Sequence, residues 1–311
     1  MKNEKSPKPW YKKRRFAIVA LCIVACVAVV AVLLQKDRLS NTATHSVLMG
    51  AVHKALTVPD RYQIIVQETQ MTLDTDGNSY RLHGELKGAE FEVIIMGQDI
   101  YIKFASAEAF YDDSALAQQP DTFTSTAKVR DELVGMNGQW IKADIATLRA
   151  STGGMAQLQC GLETLQNLPT SDTNNQWGQI VQAYDSHPFA SVVDTKSEAD
   201  GTLYTVKIQQ DKLQSFAKAF EQTDYYESLK RCKNVSLFAS EQPWELTMKA
   251  LVSSDDRRVK SLTLESPSAP EQAGIQLVPD YGEKVGPIAT PDATLDYEEV
   301  MRRLTGAMSG Q

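Results

Sequence analysis

Residues Phe16–Leu34 form an unbroken run of nineteen apolar or small side chains with no charge among them. At helical rise the run is roughly 28 Å long, about the hydrocarbon thickness of a bilayer, so it predicts one transmembrane helix. The fifteen residues before it hold seven Lys or Arg against one Glu. The positive-inside rule therefore keeps the N-terminus cytoplasmic and carries the rest of the chain across the cell membrane. The organisation expected is a basic tail over 1–15, a spanning helix over 16–34, a linker over 35–45, an extracytoplasmic domain over 46–290 and a C-terminal surface helix or tail over 291–311.

Cleavage is the competing reading of the same run. A secretory signal has an apolar stretch of about 7 to 15 residues, whereas here apolar character continues through Val27–Leu34. Ile23-Val24-Ala25-Cys26 loosely matches the pattern in which a Cys is lipidated after cleavage. Lipidation at Cys26 would be followed by polar residues, and those that follow are apolar. A type IV pilin start requires Gly before the Phe and a Glu in the helix; Arg15 and Ala20 occupy those places.

Charge narrows the function classes. Residues 16–311 carry 25 basic and 38 acidic side chains, which argues against a nucleic-acid ligand and against docking on anionic lipid through a basic patch. Of the four Cys, Cys22 and Cys26 lie inside the apolar run and Cys160 and Cys232 beyond it. In an oxidising compartment the latter two are most simply a disulfide, with two separate buried thiols as the alternative. His45, His53, His83 and His187 have no metal-ligand spacing with these Cys or with one another, so no metal or cofactor is expected.

Beyond the linker, Val47, Leu48, Ala51, Val52, Ala55 and Leu56 recur at helical spacing up to Pro59. Strands follow at Tyr62–Leu73, Ser79–Lys87, Glu90–Met96 and Ile100–Phe104, with a turn at Thr75-Asp76-Gly77-Asn78. In the second of these, Tyr80, Leu82, Gly84 and Leu86 alternate with Arg81, His83, Glu85 and Lys87, the mark of an antiparallel sheet covered on one side. The apolar set changes parity between Val66 and Thr69, which predicts a bulge or bend there. Then come a helix over 124–133, a strand over 138–143, and two apolar helical stripes. Leu158, Leu162 and Leu165 make the first, with Cys160; Trp177, Ile180, Val181 and Tyr184 make the second, opened by a Thr173–Gln176 capping box. A second set repeats the order: strands over 189–195 and 203–208, a helix opened by Asp211 and Gln214, a short helix over 225–232, and a hairpin of 243–253 with 258–265. With no Pro/Gly/Ser-rich linker between them, the two sets read as halves of one sheet.

Catalytic patterns are missing. The chain holds no nucleophile elbow, Walker loop, zinc-protease His-Glu-x-x-His or dinucleotide fingerprint. Asp112-Asp113, Asp255-Asp256 and Glu298-Glu299 read as solvated charge, and Asn234-Val235-Ser236 matches a glycosylation acceptor that matters only in a glycosylating host.

The order of elements, with the phrases Gln98-Asp99-Ile100-Tyr101-Ile102-Lys103, Gly138-Gln139-Trp140-Ile141-Lys142 and Tyr281-Gly282-Glu283-Lys284-Val285, resembles the bacterial lipoprotein and lipoprotein-carrier superfamily of LolA, LppX and LprG type over about residues 45–290. That resemblance implies an α+β fold in which a curved, incompletely closed antiparallel sheet carries helices on its concave face. The enclosed apolar cavity holds acyl chains or lipid anchors in that family, and there are no catalytic residues to carry over. The chain differs in its uncleaved hydrophobic segment. The expectation is a membrane-anchored, non-catalytic binding protein for a lipid-like ligand, with an envelope protein-interaction module using the polar sheet face as the alternative.

Overall fold

The computed structural model describes residues 47–48, 51–52, 54–55, 58–66, 69–86, 88–112, 126–144, 160, 164, 176–229, 232, 245–265 and 274–309. The expected spanning helix at 16–34, Cys26, His53 and the Leu158, Leu162 and Leu165 stripe lie outside them. Among the described residues no helix is long and apolar enough to cross a membrane.

In chain order the described strands are β1 (Arg61–Val66), β2 (Thr69–Thr75), β3 (Ser79–Leu86), β4 (Ala89–Met96), β5 (Asp99–Phe104), β6 (Trp140–Asp144), β7 (Ala190–Glu198), β8 (Gly201–Gln209), β9 (Glu245–Val252), β10 (Val259–Glu265), β11 (Ile275–Asp280) and β12 (Thr294–Asp296). The helices are α1 (Ala107–Asp112), α2 (Thr126–Val134), α3 (Gln176–Ser186), α4 (Gln210–Phe220), α5 (Asp224–Ser228) and α6 (Tyr297–Ser309). They fall into two compact units that interleave in sequence. One comprises 58–148 with 275–311, the other 149–274 with the helical residues between 47 and 55. The boundary therefore differs from the two-halves expectation: α3 and the cysteines go with β7–β10, and β11 goes with β1–β6.

The first, large-sheet unit has strand order β12-β6-β5-β4-β3-β2-β1-β11. All its pairings are antiparallel except β12 on β6. The expected bend between Val66 and Thr69 is instead a chain reversal, since Val66 pairs with Thr69, Ile64 with Met71 and Tyr62 with Leu73. A two-residue connection pairs even positions with odd ones, which is the parity change the sequence carries. Gln67-Glu68 lacks the Gly or Asn that normally marks such a turn. The next reversal is signposted: Gly77 has φ +86°, and Asp76 Oδ1 accepts from the backbone N–H of Asn78 at 2.9 Å and of Ser79 at 2.8 Å. At the C-terminus the expected surface helix is α6, whose Val300 and Ala307 are buried and which packs on α2 and β6. Too short to carry a periodic signal, β12 precedes it.

The second, disulfide unit has strand order β10-β9-β8-β7. Its sheet buries one face, where Tyr204 pairs with Ala250 and Ala250 with Leu262, at 5, 0 and 2% exposure. Gly201 opens β8 so close to β9 that a Cβ there would lie 2.1 Å from the Val252 carbonyl oxygen. Helices α3 and α4 pack together, and α4 on β8. Between them Tyr184, Phe189, Phe216 and Phe220 form an aromatic run with neighbouring centroids 5.0 to 5.7 Å apart, geometries that add to plain burial. The expected Asp211–Gln214 capping box is absent. Strand β8 runs into α4 without a loop, so the N-cap falls on Gln209, which makes no side-chain cap bond, and Gln209 donates its N–H to the Phe189 carbonyl at 2.9 Å. The N-terminal stripe of Leu48, Ala51, Val52 and Ala55 is 0–1% exposed.

Cys160 and Cys232 are disulfide-bonded with Cα atoms 4.5 Å apart, and both are fully buried. Hydroxyls from α5 hold the two segments: Tyr225 Oη donates to the Thr164 carbonyl at 2.6 Å and Tyr226 Oη to the Cys232 carbonyl at 3.1 Å. Burial pushes the Tyr226 phenol up to about 12, so it stays a donor at neutral pH. With the cysteines 72 positions apart in sequence, the chain-entropy model gives about 4 kcal/mol of stabilisation. The double variant Cys160→Ser/Cys232→Ser should lose roughly that in urea unfolding. Thiol labelling of the denatured, unreduced wild type should find neither cysteine free. Equal midpoints with labelled thiols at both positions would refute the cross-link.

Candidate functional site

Strand register in the large-sheet unit sorts its side chains onto two opposite faces. Pairings across the sheet link Pro279, Tyr62, Leu73, Leu82, Val93, Ile102, Ile141 and Leu295 into one row through all eight strands. At about 4.8 Å per strand this apolar row extends about 34 Å. The adjacent rows on this face repeat its character, with Ile64, Met71, Gly84, Phe91 and Phe104 in register on one side and Tyr80, Ile95, Ile100 and Ala143 on the other.

One residue along each strand the other face appears. There Asp280, Arg61, Asp74 and Arg81 follow one another in register with alternating charge. Asp74 is fully buried, accepting from Arg61 Nε at 2.6 Å and Arg81 Nη2 at 2.7 Å. Burial alone would push its carboxyl up; the hydrogen bonds and charges of the two guanidiniums outweigh it and hold the group below the usual carboxylate range. Arg61 also reaches Glu283 at 2.6 Å, and Lys103 pairs with Glu92 at 2.8 Å across β4 and β5. Of the apolar side chains on this face, Ile94, Tyr101 and Trp140 pack with Val285 and Ile288. That extended segment is fixed where Asp76 Oδ2 accepts from the Ile288 N–H at 2.9 Å. Part of the polar face is thus occupied by its own ion pairs and return segment.

The two apolar faces of the molecule differ in how completely they are filled. In the disulfide unit Val206, Met248, Ala250, Val252 and Leu262 are all at or below 3% exposure. In the large-sheet unit Leu73, Leu82, Val93, Ile102 and Ile141 of the central row, and Ile64, Met71, Phe91 and Ile95 beside them, are only half-buried. Large contiguous apolar surface left partly open marks a binding surface more often than an ordinary exterior. Tyr62 is the one ionisable side chain in the central row, and burial pushes its phenol up from the ordinary value, so the row presents an apolar surface at neutral pH.

The residues singled out from sequence are placed as follows. His83 lies on the polar face, 3.8 Å from the Asp74 carboxylate. Asp255 and Asp256 are exposed in the β9–β10 turn, and Glu299 pairs with Arg302 and Arg303 on α6. Residues 113 and 234 lie outside the described set. Among the described residues no group of three or more His, Cys, Asp or Glu is placed to hold a metal ion. The sequence phrases at 98–103 and 138–142 are the starts of β5 and β6, and Tyr281–Val285 opens the segment that packs on part of the polar face. Sequence reasoning missed the Asp76–Ile288 bond, because the two residues are 212 positions apart.

The chain is similar to the solved structure of the lipoprotein LppX from Mycobacterium tuberculosis, at 9% identity over 78% of this chain and 97% of that one, with a TM-score of 0.31. No protein-family model and no curated protein sequence matches it. The likeness is too slight to carry residues or ligands across.

Asp74 gives a prediction with a definite sign. Its folded-state pKa is lowered, so its stabilisation is full above the unfolded value of about 3.9 and is lost as pH falls through the folded one. Asp74→Asn should cost about 2 kcal/mol at pH 7, since Arg81 loses its carboxylate partner while Arg61 keeps Glu283 and both guanidiniums retain some access to solvent. Its stability should also fall less than the wild type's between neutral pH and about pH 3. Urea midpoints at both pH values measure this; parallel losses would show that Asp74 carries no linked proton.

Proposed function

We propose that the chain is a single-pass, membrane-anchored extracytoplasmic protein that binds a hydrophobic or lipid-like molecule without performing chemistry. The observation that carries this reading is the half-open apolar face of β1–β6 and β11, set against the filled core of β7–β10. A face of that composition exposed to water costs about 25 cal/mol per Å², a cost that an acyl chain laid on it removes. The polar face, partly occupied by cross-strand ion pairs, offers a ligand much less.

In this reading the sheet curves around its apolar side and helices cover the concave surface, as in the superfamily the sequence resembles. Residues 16–34 hold the protein in the cell membrane with the N-terminus in the cytoplasm. The twelve or so residues between that helix and the buried stripe at 47–55 reach at most about 40 Å. The ligand is accordingly received and presented close to the membrane of origin.

The test is to extract the full chain in a mild detergent, delipidate nothing, and identify co-purifying molecules by native mass spectrometry. An amphiphile at near one per chain, lost on denaturation, is the expected result. A chain at its bare mass, with a binding-inert apolar face, would refute the reading.

A further inference from the structure

The sheet of the disulfide unit ends at β7, which among the described strands pairs with β8 alone. Every side chain of β7 from Val193 to Glu198 is exposed, Val193 at 57%. An edge strand of this length is a template for another chain unless its backbone groups are taken or misaligned. Here they are both.

The register shows which groups face outward. Gln209 donates its N–H to the Phe189 carbonyl, so by antiparallel alternation the odd positions of β8 face β7, and Phe189 and Ser191 face back. The register then shifts between Val192 and Asp194, leaving Asp194 opposite Thr205, Lys196 opposite Leu203 and Glu198 opposite Gly201. Past that bulge the even positions of β7 face β8. The outward positions are therefore Ala190, Val192, Thr195 and Ser197, with a gap of three at the bulge where regular alternation has two. A regular partner strand keeps a period of two, so it can follow one half of this edge and not both. One outward group in each half is also occupied. Tyr184 Oη, from α3, donates to the Ala190 carbonyl at 3.2 Å, and Asp194 Oδ1 accepts from the Thr195 N–H at 2.8 Å.

We propose that the outer edge of β7 is an interaction surface held shut, that a second copy of this chain is the partner it fits, and that the Val193 bulge, Asp194 and Tyr184 keep that copy out. Charge selects the copy. Asp194, Lys196 and Glu198 lie on one face of the strand with alternating sign, and Lys196 pairs with Glu198 at 2.7 Å. Antiparallel pairing of two copies centred on Ser197 sets Lys196 of each opposite Glu198 of the other. Centred on Thr195, it sets Asp194 of each opposite Lys196 of the other. Only the alignment between these, centred on Lys196, opposes like charges. With the guards in place neither matched alignment forms: the bulge cuts the ladder short and the Thr195 N–H is already bonded. The inference is independent of any ligand on the apolar face.

The test uses the full chain in mild detergent and two variants: Asp194→Ala alone, and Asp194→Ala combined with deletion of Val193, which restores unbroken alternation. Protein mass is read by light scattering and the edge by amide hydrogen exchange. The wild type should not associate through β7. The combined variant should associate as its concentration rises, with exchange at Thr195 and Ser197 slowed by about tenfold or more. Asp194→Ala alone changes one exposed side chain and keeps the bulge, so it reports even if the combined variant does not fold. It should speed exchange of the Thr195 amide by about tenfold without association. A folded combined variant with the mass and edge exchange of the wild type would overturn the proposal. So would an unchanged Thr195 amide in Asp194→Ala, or a wild type whose β7 edge is already protected by a second copy.

Discussion

The antiparallel register of β1–β6 is the constraint on which the rest of the large-sheet unit depends. Because side chains alternate with a period of two, a slip of one residue at any pairing would exchange the faces from that strand onward. The row from Tyr62 to Ile141 would then meet the row containing Asp74, and a carboxylate held by two guanidiniums would be set among aliphatic groups. Asp74 at the centre of the polar row is therefore a register lock as well as an ion pair. Only in the observed alignment does it face both Arg61 and Arg81. One carboxylate in the β2–β3 turn extends the effect, since Asp76 closes the turn with one oxygen and holds the segment at Ile288 with the other.

The two units solve the same amphipathic problem differently. In the disulfide unit, helices supply aromatic side chains that shut the apolar face, a buried cross-link joins Cys160 to Cys232, and Tyr225 of α5 bonds the Thr164 carbonyl. In the large-sheet unit the described helices α1, α2 and α6 contact one another and the β4 and β6 strands, and six of the eight side chains in the apolar row are left half-buried, Tyr62 and Pro279 being buried. Filled and half-open apolar packing are thus assigned to different parts of the chain. The segment nearest the predicted anchor is built into the filled unit, whose packing resists local opening.

Much of this was legible in the sequence wherever the signal was periodic. Strict alternation in Ser79–Lys87 specified a one-sided sheet, Asp76-Gly77 marked its turn, and the stripes at Leu48–Ala55 and Leu213–Phe220 found their buried faces. What escaped were features set by distant residues or by missing turn chemistry. The hairpin at Gln67-Glu68 has no Gly, Asn or Pro to announce it, so its parity change read as a bulge. The β8–α4 junction moved the N-cap to a residue with no capping side chain. The open apolar face could not be read at all, because alternation specifies which side is dry and says nothing about what covers it. The membrane anchor, by contrast, rests on the sequence alone.

Whether the apolar face is where a ligand lies can be asked of the protein in its own membrane. A photo-crosslinking side chain placed at Val93, in the central apolar row, and in a separate variant at Thr72, on the polar face, reports what each face touches. The account predicts a lipid or acyl adduct at Val93 and none at Thr72. A protein adduct at Thr72, with only internal or no cross-links at Val93, would contradict it and point to a scaffold that works through its polar face.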